Sequence, residues 1–334
     1  MRILVTGATG FVGAAFCRRA SERAHIRAAL WSREELPHVP TVYEAIVTGD
    51  IDAQTDWTDA LKGVDVIVHL AARVHQMRET LTGAALLETY RAINTHGTIH
   101  LAEEAVRRKV RRMIFISTVK VHGEETPADE PFTEHSAMAP TDPYGISKLE
   151  AEQALHRIAT HGALQVAIVR PCLVYGPGVR GNFLSLLRIA DKALPLPIGG
   201  VRNTRSFLGL DNFVDFLIHL LDHSKAVGEA FLLSDGEDVS TSALFSRLAA
   251  GLARPDRQFA MPEALMRHLL CACGQEPLYR RLWGSLAVDA GKATRLLAWK
   301  PPVSLAAGLQ RMTDWYAERY LQRRERRSFE QIGK

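Results

Sequence analysis

Residues 2–13 read Arg2-Ile3-Leu4-Val5-Thr6-Gly7-Ala8-Thr9-Gly10-Phe11-Val12-Gly13, and this order decides the fold. Arg2–Thr6 has no polar face, as expected of a central strand in a parallel sheet covered on both sides. Glycines follow at once, and residues 11–22 read as a helix. Such a strand, turn and helix lets the backbone approach a pyrophosphate, while the helix N-terminus supplies positive potential. The spacing is Gly-x-x-Gly-x-x-Gly, one residue longer at the front than the common Gly-x-Gly-x-x-Gly. A glycine triplet alone is weak; one placed directly after a buried N-terminal strand marks a dinucleotide site. Gly7, Thr9, Gly10, Phe11, Val12 and Gly13 are the contacts expected there.

Outward from this motif, short apolar runs at 26–30, 42–47, 64–70, 112–117 and 166–170 read as strands. Helices at 86–107 and 143–161 separate the later ones. The alternation predicts an α/β fold, a Rossmann-type doubly wound parallel sheet with right-handed crossovers. After Pro171 the rhythm breaks into Pro- and Gly-punctuated loops, a late strand at 229–234, and helices at 242–253, 262–273 and 305–320. The expected organisation is a nucleotide-binding domain over 1–170, rejoined by 206–235. A smaller mixed α/β substrate cap takes 171–205 and 236–320, and a basic tail takes 321–334.

Composition narrows the class. A chain of 334 residues, 47% hydrophobic and 23% charged, is neither disordered nor low-complexity. The net charge of +4 owes much to the tail, so a nucleic-acid-binding body is not expected. Cys17, Cys172, Cys271 and Cys273 show no paired spacing, which points to reduced thiols and no metal site. No run approaches the roughly 20 apolar residues of a bilayer span, and no signal peptide is legible. A cytoplasmic location is expected.

At the end of the second strand a carboxylate would bind a ribose 2′-hydroxyl, whereas a guanidinium with small donors would bind a 2′-phosphate. The strand ends Leu30-Trp31-Ser32-Arg33, with no acid before Glu34. Ser32 and Arg33 therefore favour NADP(H), although an Arg33 that stacks on adenine would also admit NAD(H). Asp50 and Ile51 are placed to bound the adenine, and Ala71 and Ala72 keep the backbone open beside the cofactor. His69 reads as a satisfied core histidine.

Tyr144 and Lys148 stand at i and i+4 in Pro143-Tyr144-Gly145-Ile146-Ser147-Lys148 and share one helix face. Asp142 suits the N-cap and Pro143 the first turn, which sets Tyr144 at the positive helix end. A neighbouring ammonium and that helix end would both favour the phenolate. Thr118, closing the 112–117 strand, adds a hydroxyl at the sheet edge where ligands bind in such folds.

With these residues in place, the chain resembles the extended short-chain dehydrogenase/reductases, specifically their nucleotide-sugar epimerase/dehydratase/reductase group. The matching elements are Gly7 to Gly13, Asp50-Ile51, His69-Leu70-Ala71-Ala72, Asn94 in Ile-Asn-Thr-His-Gly-Thr, Ser117-Thr118, Tyr144/Lys148 and Arg170-Pro171. Residues 203–207 and 297–301 look like the group's cap signatures, so the likeness spans nearly the whole chain. It implies that Tyr144 is the acid/base, that Thr118 hydrogen-bonds the reacting oxygen, and that Lys148 holds the nicotinamide ribose. It also implies Asn94 and Pro171 near the cofactor, Arg205 on the substrate diphosphate with Asn182 beside it, and a homodimer. Arg280 and Arg281 are candidates for a second clamp or for plain solvent exposure. Lys120 and His75 are candidates for the sugar pocket.

Departures narrow the chemistry. The 4,6-dehydratases of this group follow their threonine with an Asp-Glu pair, where this chain has Val119 and Lys120, so elimination of water is not expected. Residues 117–124, 194–199 and 283–289 look most like the subgroup that reduces a UDP-linked 4-keto-6-deoxy-HexNAc in O-antigen and related lipopolysaccharide synthesis. The expected function is thus 4-keto reduction of a UDP-sugar. A UDP-hexose 4-epimerase holding NAD, and a non-catalytic NADP(H)-binding module, are the alternatives.

Overall fold

The computed structural model describes residues 1–40, 43–74, 81–127 and 129–321. The chain begins with β1 (Arg2–Thr6), α1 (Phe11–Ala20), β2 (His25–Leu30) and β3 (Glu44–Val47). It continues through β4 (Val66–His69), α2 (Gly83–Tyr90), α3 (Thr98–Arg107), β5 (Arg112–Ile116), α4 (Pro143–His161) and β6 (Gln165–Pro171). Then come β7 (Leu173–Tyr175), α5 (Gly181–Asp191), β8 (Phe207–Gly209), α6 (Leu210–Leu220) and β9 (Ala230–Leu233). The last elements are α7 (Thr241–Gly251), α8 (Glu263–Ala272), α9 (Glu276–Trp283), α10 (Gly291–Leu297) and α11 (Leu305–Tyr316).

Seven strands form one sheet in the order β3-β2-β1-β4-β5-β6-β9, and every pairing is parallel. This is the doubly wound α/β sheet expected. From β1 the chain builds outward to β3, then crosses back to place β4 on the other side of β1. That reversal opens a crevice at the carboxyl ends of β1 and β4, where such sheets bind ligands.

The strand pleat divides the apolar residues between two layers. Ile3 and Val5 face α1 and α6, whereas Leu4 faces α3 and α4. A third cluster joins α5, α7 and α11 around Tyr175, Phe183 and Phe245. Leu286, Val288, Ala293, Leu297 and Trp299 pack into the first core beside α6.

Several boundaries move. The helix read at 86–107 begins at Gly83 and carries a π-helical stretch, Arg91–Gly97, between α2 and α3. There Gly97 lies against Ile51, since an added Cβ would stand 2.8 Å from the Ile51 carbonyl oxygen. The strand read at 42–47 begins at Glu44, and residues 41 and 42 lie outside the described residues. Sequence reading passed over α5, α6, α9 and α10, and over the two-stranded pair β7–β8. The apolar run of α6 carries no breaker to separate helix from strand. The tail residues 322–334 also lie outside the described residues. Among those described, no helix is long and apolar enough to cross a membrane.

Candidate active site

The glycine turn has the geometry a pyrophosphate requires. Gly7 adopts φ +69°, and a Cβ on it would meet the Ala71 nitrogen at 2.8 Å. A Cβ on Gly13 would stand 2.0 Å from the Gly7 carbonyl oxygen, so only glycine lets α1 start so close to β1. Gly10 caps α1 with no side chain on the helix end, which leaves its first amides for an anion. Phe11 reaches the loop after β7, its ring 3.6 Å from the Cβ position of Gly178.

Beside this turn, His69 lies in the core and is fully paired. The Thr98 hydroxyl donates to the Asn94 carbonyl (2.8 Å), so it accepts from His69 Nε2 (2.9 Å). His69 Nδ1 then accepts from the Thr6 hydroxyl at 2.7 Å. The ring stays neutral, its pKa pulled down to about 3 by burial and by nearby Lys148. His69 stacks on Phe115 with centroids 5.9 Å apart, and Lys148 Nζ sits 3.9 Å from the Phe115 ring centre. A continuous line of contacts thus joins the glycine strand to the lysine of α4.

Thr118 lies just past β5 and caps a 3-10 turn, Val119–Val121, accepting from the Lys120 amide at 3.3 Å. Asp142 caps α4 by accepting from the Gly145 amide at 2.6 Å. Tyr144 and Lys148 follow one turn apart on that helix. Tyr144 lies edge-on to Tyr90 of α2, at 6.3 Å, and the Arg73 guanidinium covers Tyr90. The acidic phenol expected from the sequence is not what this environment makes. Burial first, then Asp142 and Tyr90, raise the Tyr144 pKa above its ordinary range. Lys148 is 1% exposed, and burial pulls its amine down to about 7 against the opposing pull of Glu152. With its pKa raised, Tyr144 keeps its proton near neutral pH.

The end of β2 brings a second correction. The expectation that no carboxylate stands there fails, because a 3-10 turn, Arg33–His38, folds Glu35 back over the glycine loop. Glu35 accepts from the Thr9 hydroxyl at 2.5 Å and from the Trp31 amide at 2.6 Å. Arg33 is exposed, Ser32 is half-buried, and the Trp31 indole donates to Asp50 at 2.7 Å. The missed signal was the spacing of Trp31 to Glu35, one turn apart. Ala71 donates to Thr6 Oγ1 at 3.2 Å, close beside Gly7, and Pro171 is buried at the end of β6.

Asn94 does not present its amide to a ligand. It accepts from the Arg73 amide (2.8 Å) and donates to the Arg73 carbonyl and to Ser147 Oγ, both at 3.0 Å. Its role is to pin the loop after β4 onto α4. Ser117 Oγ, by contrast, is buried and has no hydrogen-bond partner. An orphaned hydroxyl beside Thr118, the open α1 end and the glycine cradle together fit a nicotinamide dinucleotide along this edge.

Among the expected substrate contacts, Asn182 accepts from Arg281 at 3.3 Å, and Arg205 donates to the Arg281 and Gly284 carbonyls at 3.3 and 2.8 Å. Asn182, Arg205 and Arg281 therefore lie together. Arg280 does not join them; it turns outward onto Glu276 at 2.7 Å. Lys120, expected at the sugar, is instead paired with Asp142 and with Glu124. His75 lies outside the described residues. Among the described residues, no group of three or more His, Cys, Asp or Glu could hold a metal ion.

Residues 3–234 match the NAD dependent epimerase/dehydratase family. The chain belongs to that family. It is 39% identical over 311 residues to a UDP-glucose 4-epimerase of Vibrio cholerae, covering 92% of this chain and 93% of that one. It is 25% identical over 326 residues to a GDP-6-deoxy-D-mannose reductase of Pseudomonas aeruginosa, covering 94% and 97%. A UDP-glucuronic acid 4-epimerase of Bacillus cereus, solved in complex with NAD, is similar in structure. Its TM-score is 0.77 at 25% identity, over 96% of this chain and 100% of that one. Relatives with epimerase and reductase names thus align with nearly the whole chain.

Proposed function

We propose that this enzyme transfers hydride at C4 of a UDP-linked hexose, working as a reductase of a 4-keto-6-deoxy sugar in surface-polysaccharide synthesis. The observation that carries the reading is Thr118 and a protonated Tyr144 on one sheet edge, with Lys120 locked in ion pairs where an eliminating enzyme needs an acid. A bound nicotinamide supplies the hydride. Thr118 donates a hydrogen bond to the carbonyl oxygen, and Tyr144 gives that oxygen its proton as negative charge develops. Lys148, on the next turn of α4, holds the ribose edge and replenishes charge near the phenol. Arg205 and Arg281 grip the diphosphate, with Asn182 orienting Arg281. In this reading residues 1–170 with 206–235 form the cofactor-binding body, and 171–205 with 236–320 form the cap.

The cofactor we propose is NAD(H) rather than the NADP(H) expected from Ser32 and Arg33. The Glu35 carboxylate, held at Thr9, would accept from ribose hydroxyls and repel a 2′-phosphate.

The second reading is a UDP-hexose 4-epimerase, favoured by the Vibrio cholerae relative's name and by the same Glu35 geometry. One experiment separates them. The purified chain is given a UDP-4-keto-6-deoxy-hexose with NADH, and separately UDP-glucose or UDP-N-acetylglucosamine without added cofactor. Stoichiometric loss of NADH absorbance in the first supports the reductase. Interconversion of 4-epimers in the second, with no NADH consumed in the first, replaces it with the epimerase.

A further inference from the structure

Lys120 joins two parts of the site that the sequence separates by 22 residues. Its backbone amide closes the Thr118 cap, while its ammonium binds Asp142, the N-cap of the helix that carries Tyr144. Glu124 completes the cluster at 2.6 Å. The two backbones are in close contact as well, since a Cβ on Gly145 would meet the Lys120 carbonyl oxygen at 3.0 Å. We propose that Lys120 is a positioning residue for Tyr144: it fastens the Thr118 turn to the start of α4 and offsets the negative charge of Asp142 beside the phenol. The proposal rests on the hydride-transfer reading only in taking Tyr144 as the acid/base.

Charge around Tyr144 makes the consequence specific. Asp142 and Lys148 lie on its own helix, and Lys120 and Glu124 approach from the turn after β5. Tyr90 lies on α2, and Arg73 covers Tyr90 from the loop after β4. Behind Lys148 stand Glu152 and His69. Asp142 already raises the phenol, and Lys120 is the cation that contacts it. Burial works against the Lys120 charge, but the two carboxylates more than compensate, so it stays protonated. Without it, Asp142 would act on Tyr144 uncompensated and hold the proton more tightly.

The test follows the Tyr144 proton directly. The full chain, labelled with carbon-13 at tyrosine Cζ and saturated with NAD+, is titrated by NMR, with Tyr144→Phe assigning the signal. Lys120→Met should move the Tyr144 midpoint upward by about 0.5–1 pH unit, a threefold to tenfold fall in phenolate at a fixed pH. Lys120→Arg should restore it to within about 0.3 unit. Asp142→Asn, which keeps the cap but loses the charge, should lower the midpoint and cancel the Lys120→Met shift in the double variant. Equal midpoints in wild type and Lys120→Met would overturn the proposal. So would a Lys120→Met shift that persists unchanged in the double variant. Should Lys120→Met fail to fold, Asp142→Asn alone decides by the sign of its shift. If the chain binds no NAD+, the functional reading falls, and the same midpoints in the free chain still judge Lys120.

Discussion

Replacing Glu152 by Gln removes one charge from an ion pair that water cannot reach. The side chains of Arg170 and Glu152 are only 3% and 4% exposed. Arg170 makes three hydrogen bonds to that carboxylate, at 3.0, 3.2 and 2.5 Å, and a fourth at 3.1 Å to His122 Nε2. His122 Nδ1 in turn donates to the Ser136 carbonyl at 3.1 Å, so the ring is neutral and supplies no negative charge in place of the carboxylate. Breaking a buried pair from one side leaves an uncompensated guanidinium and costs about 3–5 kcal/mol. Unfolding entropy of about 2 cal/mol/K per residue amounts to about 0.7 kcal/mol/K for a chain of this length, so the melting temperature should fall by roughly 4–7 °C. Glu152 also supports the charge on Lys148, one turn away, so the lysine pKa should drop below its present value of about 7. Scanning calorimetry reads the first effect. A variant that melts within a degree of wild type would show that the pair contributes little beyond what Gln and a neutral neighbour supply. Adding Arg170→Met should recover part of the loss, because the orphaned charge then disappears.

Tyr144→Phe should keep NADH binding, read by nicotinamide fluorescence, and lose about 10²–10⁴-fold in turnover. Glu35→Ala should weaken NADH binding about 10- to 100-fold through loss of charge-assisted hydrogen bonds, while NADPH binding should hold or improve; competitive fluorescence titration reads both. Gly13→Ala should abolish dinucleotide binding, since its Cβ would overlap the Gly7 carbonyl oxygen. His69 binds its proton only near pH 3 in the fold, against 6.5 for the free side chain. Between those values the unfolded chain holds more protons, so stability rises with pH and is lost as pH falls. The slope from this residue is at most about 1.4 kcal/mol per pH unit. His69→Gln should flatten that part of a urea-derived stability profile.

The sheet, its central strand and the glycine turn were legible because local rules fix them. Apolar runs of strand length, glycines at a strand–helix junction, and Asp142-Pro143 at a helix start each act within a few residues. The Tyr144/Lys148 pairing needs only helical spacing, and α4 has the expected limits of Pro143 and His161. What the sequence left open was set by distant neighbours. Lys120 was free to reach a sugar until Asp142 came within bonding distance, and Asn94 was free to reach a cofactor until Arg73 and Ser147 took its amide. Glu35 entered no reading of the β2 end, because only the turn after it returns that side chain to Thr9.

The order of residues by itself determined the fold class, the glycine turn and the helical pairing of Tyr144 with Lys148, since these follow from periodicity and from conformations only glycine or proline adopts. Tertiary structure alone decided the burial that shifts Tyr144 and Lys148, the partners of Lys120 and the carboxylate at the end of β2. Desolvation and charge pairing depend on what folding brings alongside a group, and no spacing along the chain encodes that.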